Sequence, residues 1–178
     1  MAGETRGLTL VFTGNGKGKT TAALGMALRA WGQGLNVLIL QFIKGGWKYG
    51  ELKAAGRLGT GFEMRQLGEG FIRDTGEEGM EEHRRAAQKA LEEARRAVLE
   101  GKHDMVILDE INYAVHYGLV DLADVLEIIR SKPSRLHLVL TGRNAAQEVV
   151  EAADLVTEMR EVKHPFAAGI PAQKGIEY

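Results

Sequence analysis

The chain contains no cysteine, which excludes disulfides, cysteine-ligated zinc, iron–sulfur clusters and thiol catalysis. Proline is scarce as well, with three in 178 residues, while 44% of residues are hydrophobic and 26% charged. That balance describes an ordinary globular chain rather than a disordered one. Neither sign of charge dominates: 23 basic and 24 acidic residues leave a net charge of -1. No global field therefore draws the protein to nucleic acid or to an anionic membrane, although a local basic pocket is compatible with neutrality. Long apolar runs are missing too, since none approaches the roughly 18 residues that would span a bilayer. The N-terminal stretch MAGETRGLTLVFTG holds only the short apolar run Leu8–Phe12, too short for the apolar region of a signal peptide. The expectation is a soluble, cytoplasmic protein with no membrane and no nucleic acid as partner. The five histidines, His83, His103, His116, His137 and His164, show neither an i, i+4 pair nor an H-E-x-x-H spacing, so a zinc site is not expected.

Glycine is what the chain has in excess, 23 residues or about twice average usage. The length is one domain's worth, and residues 1–178 are expected to form a single domain. Short apolar runs alternate with helical stretches. Leu8–Phe12, Asn36–Phe42, Met105–Leu108, Leu136–Leu140 and Leu155–Met159 read as strands, and Phe62–Leu67 as a weaker one. Helices are predicted over Lys19–Trp31, Gly79–Gly101, Asp121–Arg130 and Ala145–Ala153. Alternation of this kind predicts βαβ units, a mostly parallel central sheet and helices on both faces. The Gly-rich stretch 44–79 is the least regular part, and it reads as a functional loop region. Ligands in such sheets bind beyond the carboxyl ends of the strands. Gly14–Thr20, Gln41–Gly46, Asp109–Tyr113 and Thr141–Asn144 are therefore the positions where chemistry is expected.

The first of these carries the strongest motif. Thr13-Gly14-Asn15-Gly16-Lys17-Gly18-Lys19-Thr20-Thr21 lies between a strand and a helix. Glycines let successive backbone N–H groups point at phosphate oxygens, and the helix N-terminus adds partial positive charge. Lys19 can reach the phosphates, and the Thr20 hydroxyl is placed to ligate Mg²⁺. The usual phosphate loop has a glycine five residues before its Gly-Lys pair; Thr13 stands there, and Gly14 comes one residue late. Asp109-Glu110, at the end of an apolar strand, is the natural second half, delivering a carboxylate to the metal. Either acid can be the direct ligand with the other acting through water. The motif predicts nucleotide binding in a P-loop NTPase-like (RecA-like) α/β domain. It does not say which bond breaks, because kinases, hydrolases and group transferases share the cradle. A non-catalytic nucleotide-binding regulator fits the loop as well.

Beyond these motifs the whole chain resembles a family. VFTGNGKGKTTAALG, NVLILQFIKGGW, DMVILDEINYAV, VLTGR and the tail VKHPFAAGIPAQKGIEY are similar to the corresponding segments of the P-loop-type ATP:corrinoid adenosyltransferases, which act on cob(I)yrinic acid a,c-diamide or cob(I)alamin. The resemblance implies that Co(I) of a reduced corrinoid attacks the 5′ carbon of ATP and expels triphosphate. It implies that ATP is held the opposite way round from ordinary P-loop enzymes. Mg²⁺ or Mn²⁺ would be the metal, a flavoprotein the transient reductant, and a homodimer the assembly. Matched position by position, Gly14, Asn15, Gly16, Lys17, Gly18, Lys19, Thr20 and Thr21 look like the triphosphate cradle. Arg29 matches an arginine near the nucleotide, Glu110 the metal-side carboxylate beside Thr20, and Arg143 an arginine that stabilises the departing charge. Lys19, Thr20, Glu110 and Arg143 are thus the expected catalytic set. Phe71, in Gly70-Phe71-Ile72-Arg73, matches one of two aromatics that pack beneath the corrin, but Arg73 replaces the second. Trp47, Tyr49, Tyr113, Tyr117 and His164 lie in matched segments without an assigned role.

Overall fold

The computed structural model describes residues 6–43, 49–68, 70 and 76–177, without the side chains of 76–78. Six strands form one sheet: β1 (Thr9–Thr13), β2 (Val37–Gln41), β3 (Phe62–Gln66), β4 (Met105–Asp109), β5 (His137–Thr141) and β6 (Leu155–Glu158). Their spatial order is β3-β2-β4-β5-β1-β6, and every pairing is parallel. The helices are α1 (Lys19–Gly32), α2 (Gly50–Leu58), α3 (Gly76–Glu100), α4 (Ile111–His116), α5 (Leu122–Ser131) and α6 (Gln147–Ala152), followed by a 3₁₀ turn at Pro165–Ala168.

The strand sequences read as unbroken apolar runs because both faces of the sheet are covered. Alternate residues serve opposite faces. Val11, Leu38, Leu40, Val106, Leu108, Leu138 and Leu140 share one core with α3 and α5. Leu10, Phe12, Val37, Ile39, Met105, Ile107 and Val139 pack on the other side against Ala23, Ala27 and Ala30 of α1. Those three alanines fall on one helical stripe, and their small side chains let α1 sit close to the strand that launches it. On α3 the buried residues Ala87, Ala90, Leu91, Ala94, Ala97 and Val98 repeat at helical spacing. Its outer side carries the ion pairs Glu81–Arg84 and Glu81–Arg85, and Arg95 reaches Asp124 and Glu127 on α5.

Two elements are missing from the sequence reading. The stretch 44–79, expected as the least regular part, holds β3 where the weaker strand is expected, but it also holds α2 and the start of α3. Helix α2 is nine residues long with glycine at its first position, its seventh and just past its end, so its periodicity is too short to register. Helix α4 is six residues long and equally invisible to a periodicity argument. Trp31 anchors the β3 side, donating its indole N–H to the Thr60 carbonyl at 2.9 Å and meeting Phe62 edge-on at 6.5 Å between ring centroids.

His137 opens β5, and its Nδ1 accepts the Leu8 N–H at 3.2 Å. Burial pulls its pKa below the ordinary 6.5; Lys132 pulls the same way and Asp104 opposes. Between that lowered value and 6.5 the unfolded chain binds more protons than the folded one, so stability is present at higher pH and lost as pH falls through this window. Denaturant midpoints measured from pH 7.5 down to pH 5.5 should therefore fall. His137→Asn, which keeps an acceptor but cannot titrate, should flatten that slope; an unchanged slope in the variant would contradict the assignment.

Candidate active site

Because every strand runs the same way, the carboxyl ends of β1, β2, β4 and β5 open on one edge of the sheet, and the chemistry-bearing residues collect there. Gly14 leaves β1 with φ 93°, and a Cβ there would collide with the Met159 carbonyl oxygen. A Cβ on Gly16 would meet the Arg160 backbone at 2.7 Å. The late first glycine of the loop is thus explained by the segment beneath it. The chain leaving β6 passes directly under the loop, with the Gly16 N–H donating to the Met159 carbonyl at 2.7 Å and the Met159 N–H donating to Thr13 at 2.8 Å. Thr13 closes β1, and its hydroxyl accepts the Ala145 N–H at 3.2 Å.

Helix α1 starts from Gly18, in a left-handed conformation and with no side-chain cap. Its first-turn N–H groups are the kind of donor an anion completes. Lys19 is 7% exposed and folds back over the loop, its Nζ donating to the carbonyls of Gly14 and Gly16 at 2.8 Å each. Burial lowers its pKa from 10.5; Glu110 opposes this, Arg143 adds to it and Asp109 opposes it. Glu110, Arg143 and Asp109 therefore share one electrostatic neighbourhood with the loop lysine.

Asp109 is the most constrained acid in the site, at 1% exposure. Its Oδ1 accepts hydrogen bonds from the Thr20 hydroxyl at 2.8 Å and the Thr141 hydroxyl at 2.7 Å. Its Oδ2 accepts from Gln41 Nε2 at 2.9 Å. Thr141 in turn accepts the Glu110 N–H at 2.9 Å. Glu110 itself holds φ 66°, a left-handed conformation that costs a non-glycine residue about 1–2 kcal/mol. That turn swings its side chain off the strand line into a cleft of about 390 Å³. Lys17, Lys19, Thr20, Thr21, Glu51 and Glu110 line this cleft, together with Gly175, Ile176 and Glu177 of the tail.

One hydroxyl and two carboxylates beside a phosphate loop form a hard-oxygen donor set. It suits a small divalent cation that takes its remaining ligands from phosphate and water. Among the described residues no cluster of three or more histidines, aspartates or glutamates exists that could hold a metal ion. Arg143 follows β5 and is exposed. Tyr113 of α4 and Tyr117 just past its end stack with centroids 4.4 Å apart; burial, then Tyr117, push the Tyr113 phenol up to about 12, so it stays neutral at physiological pH.

The structure thus brings Lys17, Lys19, Thr20, Thr21, Glu110 and Arg143 to one cleft and its rim. It does not bring Arg29 there. Arg29 is exposed in the last turn of α1, ten residues beyond Lys19 and therefore about 15 Å along the helix axis. Phe71, Arg73 and Trp47 lie outside the described residues. Tyr49 is buried, and His164 accepts the Phe166 N–H at 3.2 Å as the cap of the 3₁₀ turn. Sequence reasoning missed the roles of Gln41, Thr141, Glu51 and the tail. Gln41 and Thr141 do fall just past apolar runs, where ligand chemistry is expected; nothing local signals that residues 175–177 return to the loop.

The chain matches the family model described as ATP:corrinoid adenosyltransferase BtuR/CobO/CobP over residues 5–178. Curated relatives named corrinoid adenosyltransferase are 42% identical in Sinorhizobium, over 98% of this chain and 82% of that protein. The relatives in Escherichia coli K12 and Pseudomonas aeruginosa are each 41% identical over this whole chain, covering 89% and 87% of those proteins. The chain belongs to the ATP:corrinoid adenosyltransferase family.

Glu177 stands 3.6 Å from the Lys17 ammonium, so its carboxylate would compete with any anion that binds this cation. Glu177→Gln is therefore expected to tighten binding of inorganic triphosphate by about two- to three-fold at low ionic strength, as suits a half-exposed pair. The gain should vanish in 0.5 M salt. Titration calorimetry reads both, and equal affinities for variant and wild type at low salt would contradict the competition.

Proposed function

We propose that this protein transfers the 5′-deoxyadenosyl group of ATP to the Co(I) centre of a reduced corrinoid and releases triphosphate, in the making or salvage of cobalamin. The observation that carries the reading is the family match from residue 5 to residue 178, joined to a phosphate loop opening on the cleft between α1 and Glu110.

The reaction asks little acid–base chemistry of the protein. Co(I) supplies an electron pair to C5′, the C5′–O bond breaks, and its pair leaves on the triphosphate. Cobalt becomes formally Co(III), bonded to carbon. The nucleophile arrives with the substrate, so the protein's tasks are to hold C5′ in line with cobalt and to stabilise charge on the leaving group. The N–H groups of the loop other than that of Gly16, which Met159 holds, the first turn of α1 with Thr21, and the cations of Lys17, Lys19 and Arg143 serve the second task. Lys19, already within reach of two loop carbonyls, exchanges them for phosphate oxygens.

Mg²⁺ or Mn²⁺, when bound, neutralises part of the triphosphate charge. In this reading the Thr20 hydroxyl and the Glu110 carboxylate hold it. Asp109 acts one step back, because its oxygens already accept from Thr20, Thr141 and Gln41. The corrinoid lies toward β3. Strand β3 ends two strands from β4, about 10 Å from Asp109 at ordinary strand spacing, and in this reading Phe71, which follows β3 in the sequence and lies outside the described residues, is the aromatic assigned to the corrin.

The same reading takes the protein as a cytoplasmic homodimer served by a flavoprotein reductant. The exposed edge strand β6, with Leu155 at 42% and Val156 at 39% exposure, supports self-association, since bare edge strands invite pairing. No helix among the described residues is long and apolar enough to cross a membrane.

Anaerobic incubation with MgATP and chemically reduced corrinoid should yield adenosylcorrinoid and triphosphate in equal amounts. Lys19→Ala should slow that reaction by at least about 100-fold, as loss of a preorganised charge stabiliser does. ADP and phosphate beside an unmodified corrinoid would contradict the proposal and return the site to γ-phosphate chemistry.

A further inference from the structure

Gln41 is the one polar residue in β2, after Val37-Leu38-Ile39-Leu40, and it is 0% exposed. An amide buried this deeply is costly unless both its ends are hydrogen-bonded. Here they are. Nε2 donates to Asp109 Oδ2 at 2.9 Å, and Oε1 accepts from Gln66 Nε2 at 3.3 Å. The strand registers explain the arrangement, because Gln41 pairs with Asp109 across β2–β4 and with Gln66 across β2–β3. Residues on one rung of a sheet point to the same face. Gln66, Gln41 and Asp109 therefore form a row across the carboxyl edge, continued by the Thr141 hydroxyl at 2.7 Å from Asp109.

This row constrains a torsion. The Thr20 hydroxyl can offer a lone pair to a cation in the cleft only while its proton is directed elsewhere, and that proton goes to Asp109 Oδ1 at 2.8 Å. A carboxylate held at one oxygen alone can swing about its terminal bond, which has a broad, roughly two-fold torsional profile. Gln41 grips the other oxygen.

We infer that Gln41 is a positioning residue for metal-dependent nucleotide binding, acting through Asp109 on the Thr20 hydroxyl. The inference rests on the reading of the cleft as an MgATP site, and it adds to that reading a residue that touches neither nucleotide nor metal. Thr20 and the acids facing it are the hard-oxygen set already identified, so Gln41 works entirely through protein groups.

The test is calorimetric ATP binding with Mg²⁺ and, separately, with excess chelator, which needs no corrinoid and no turnover. Gln41→Met removes the amide while keeping the length and volume of the side chain. It should weaken MgATP binding about tenfold and leave metal-free ATP binding within two-fold. In a Thr20→Val background, where the hydroxyl is gone, Gln41→Met should cost nothing further, since residues acting as one unit are not additive. Gln41→Asn, whose amide falls one methylene short of Asp109, should show the same selective loss and replaces Gln41→Met if that variant does not fold. Equal losses with and without metal, no loss at all, or a loss that adds to that of Thr20→Val would each overturn the role of Gln41 while leaving the cleft assignment standing. Wild-type protein that binds ATP equally well with and without Mg²⁺ would overturn the cleft assignment, and this role with it.

Discussion

The Asp109 carboxylate and the hydrogen bonds it accepts from the described residues hold this site together. A charge at 1% exposure is tolerable only when its oxygens are satisfied. The donors that satisfy it come from three separate elements: Gln41 from β2, Thr141 from β5 and Thr20 from α1. Removing one donor would leave a buried charge short of a partner, which costs more than the bond itself contributes when present. The same contacts that anchor the charge therefore also fix where the phosphate loop's helix sits relative to the sheet.

That constraint reaches outward in two directions. Toward the nucleotide, it sets the Thr20 hydroxyl beside Lys19, and it sets Thr141 so that the Glu110 N–H has an acceptor. Glu110 can then persist in its left-handed turn and face the cleft. Toward β3, the row through Gln41 reaches Gln66, where the chain leaves the sheet for the segment containing Phe71. The proposed reaction, with one substrate on the loop and the other toward β3, needs both edges held to a common frame. Parallel register supplies that frame.

Much of this was legible in the residues. Strands buried on both faces read as short apolar runs, and all five strong ones appear within a residue or two of expectation. The loop motif and Asp109-Glu110 could be located because a phosphate cradle and a metal-side carboxylate have restrictive local chemistry. Short helices such as α2 and α4 could not, because six to nine residues carry too little periodicity. Arg29 shows a different limit: a match by position says nothing of distance, and a helix carries an arginine away from the loop that starts it. Gln41 and Glu177 depend on contacts between residues far apart in sequence, Gln41 with Asp109 and Glu177 with Lys17, and only the folded chain brings those pairs together.

The most direct measurement asks which bond of ATP breaks. ATP carrying ¹⁸O in the bridge between C5′ and the α-phosphorus, turned over once with reduced corrinoid, should deliver all of that label into free triphosphate, one per adenosyl group transferred. Label retained in ADP, AMP or adenosine would mean that a P–O bond had broken instead, and would contradict the account of triphosphate as the leaving group.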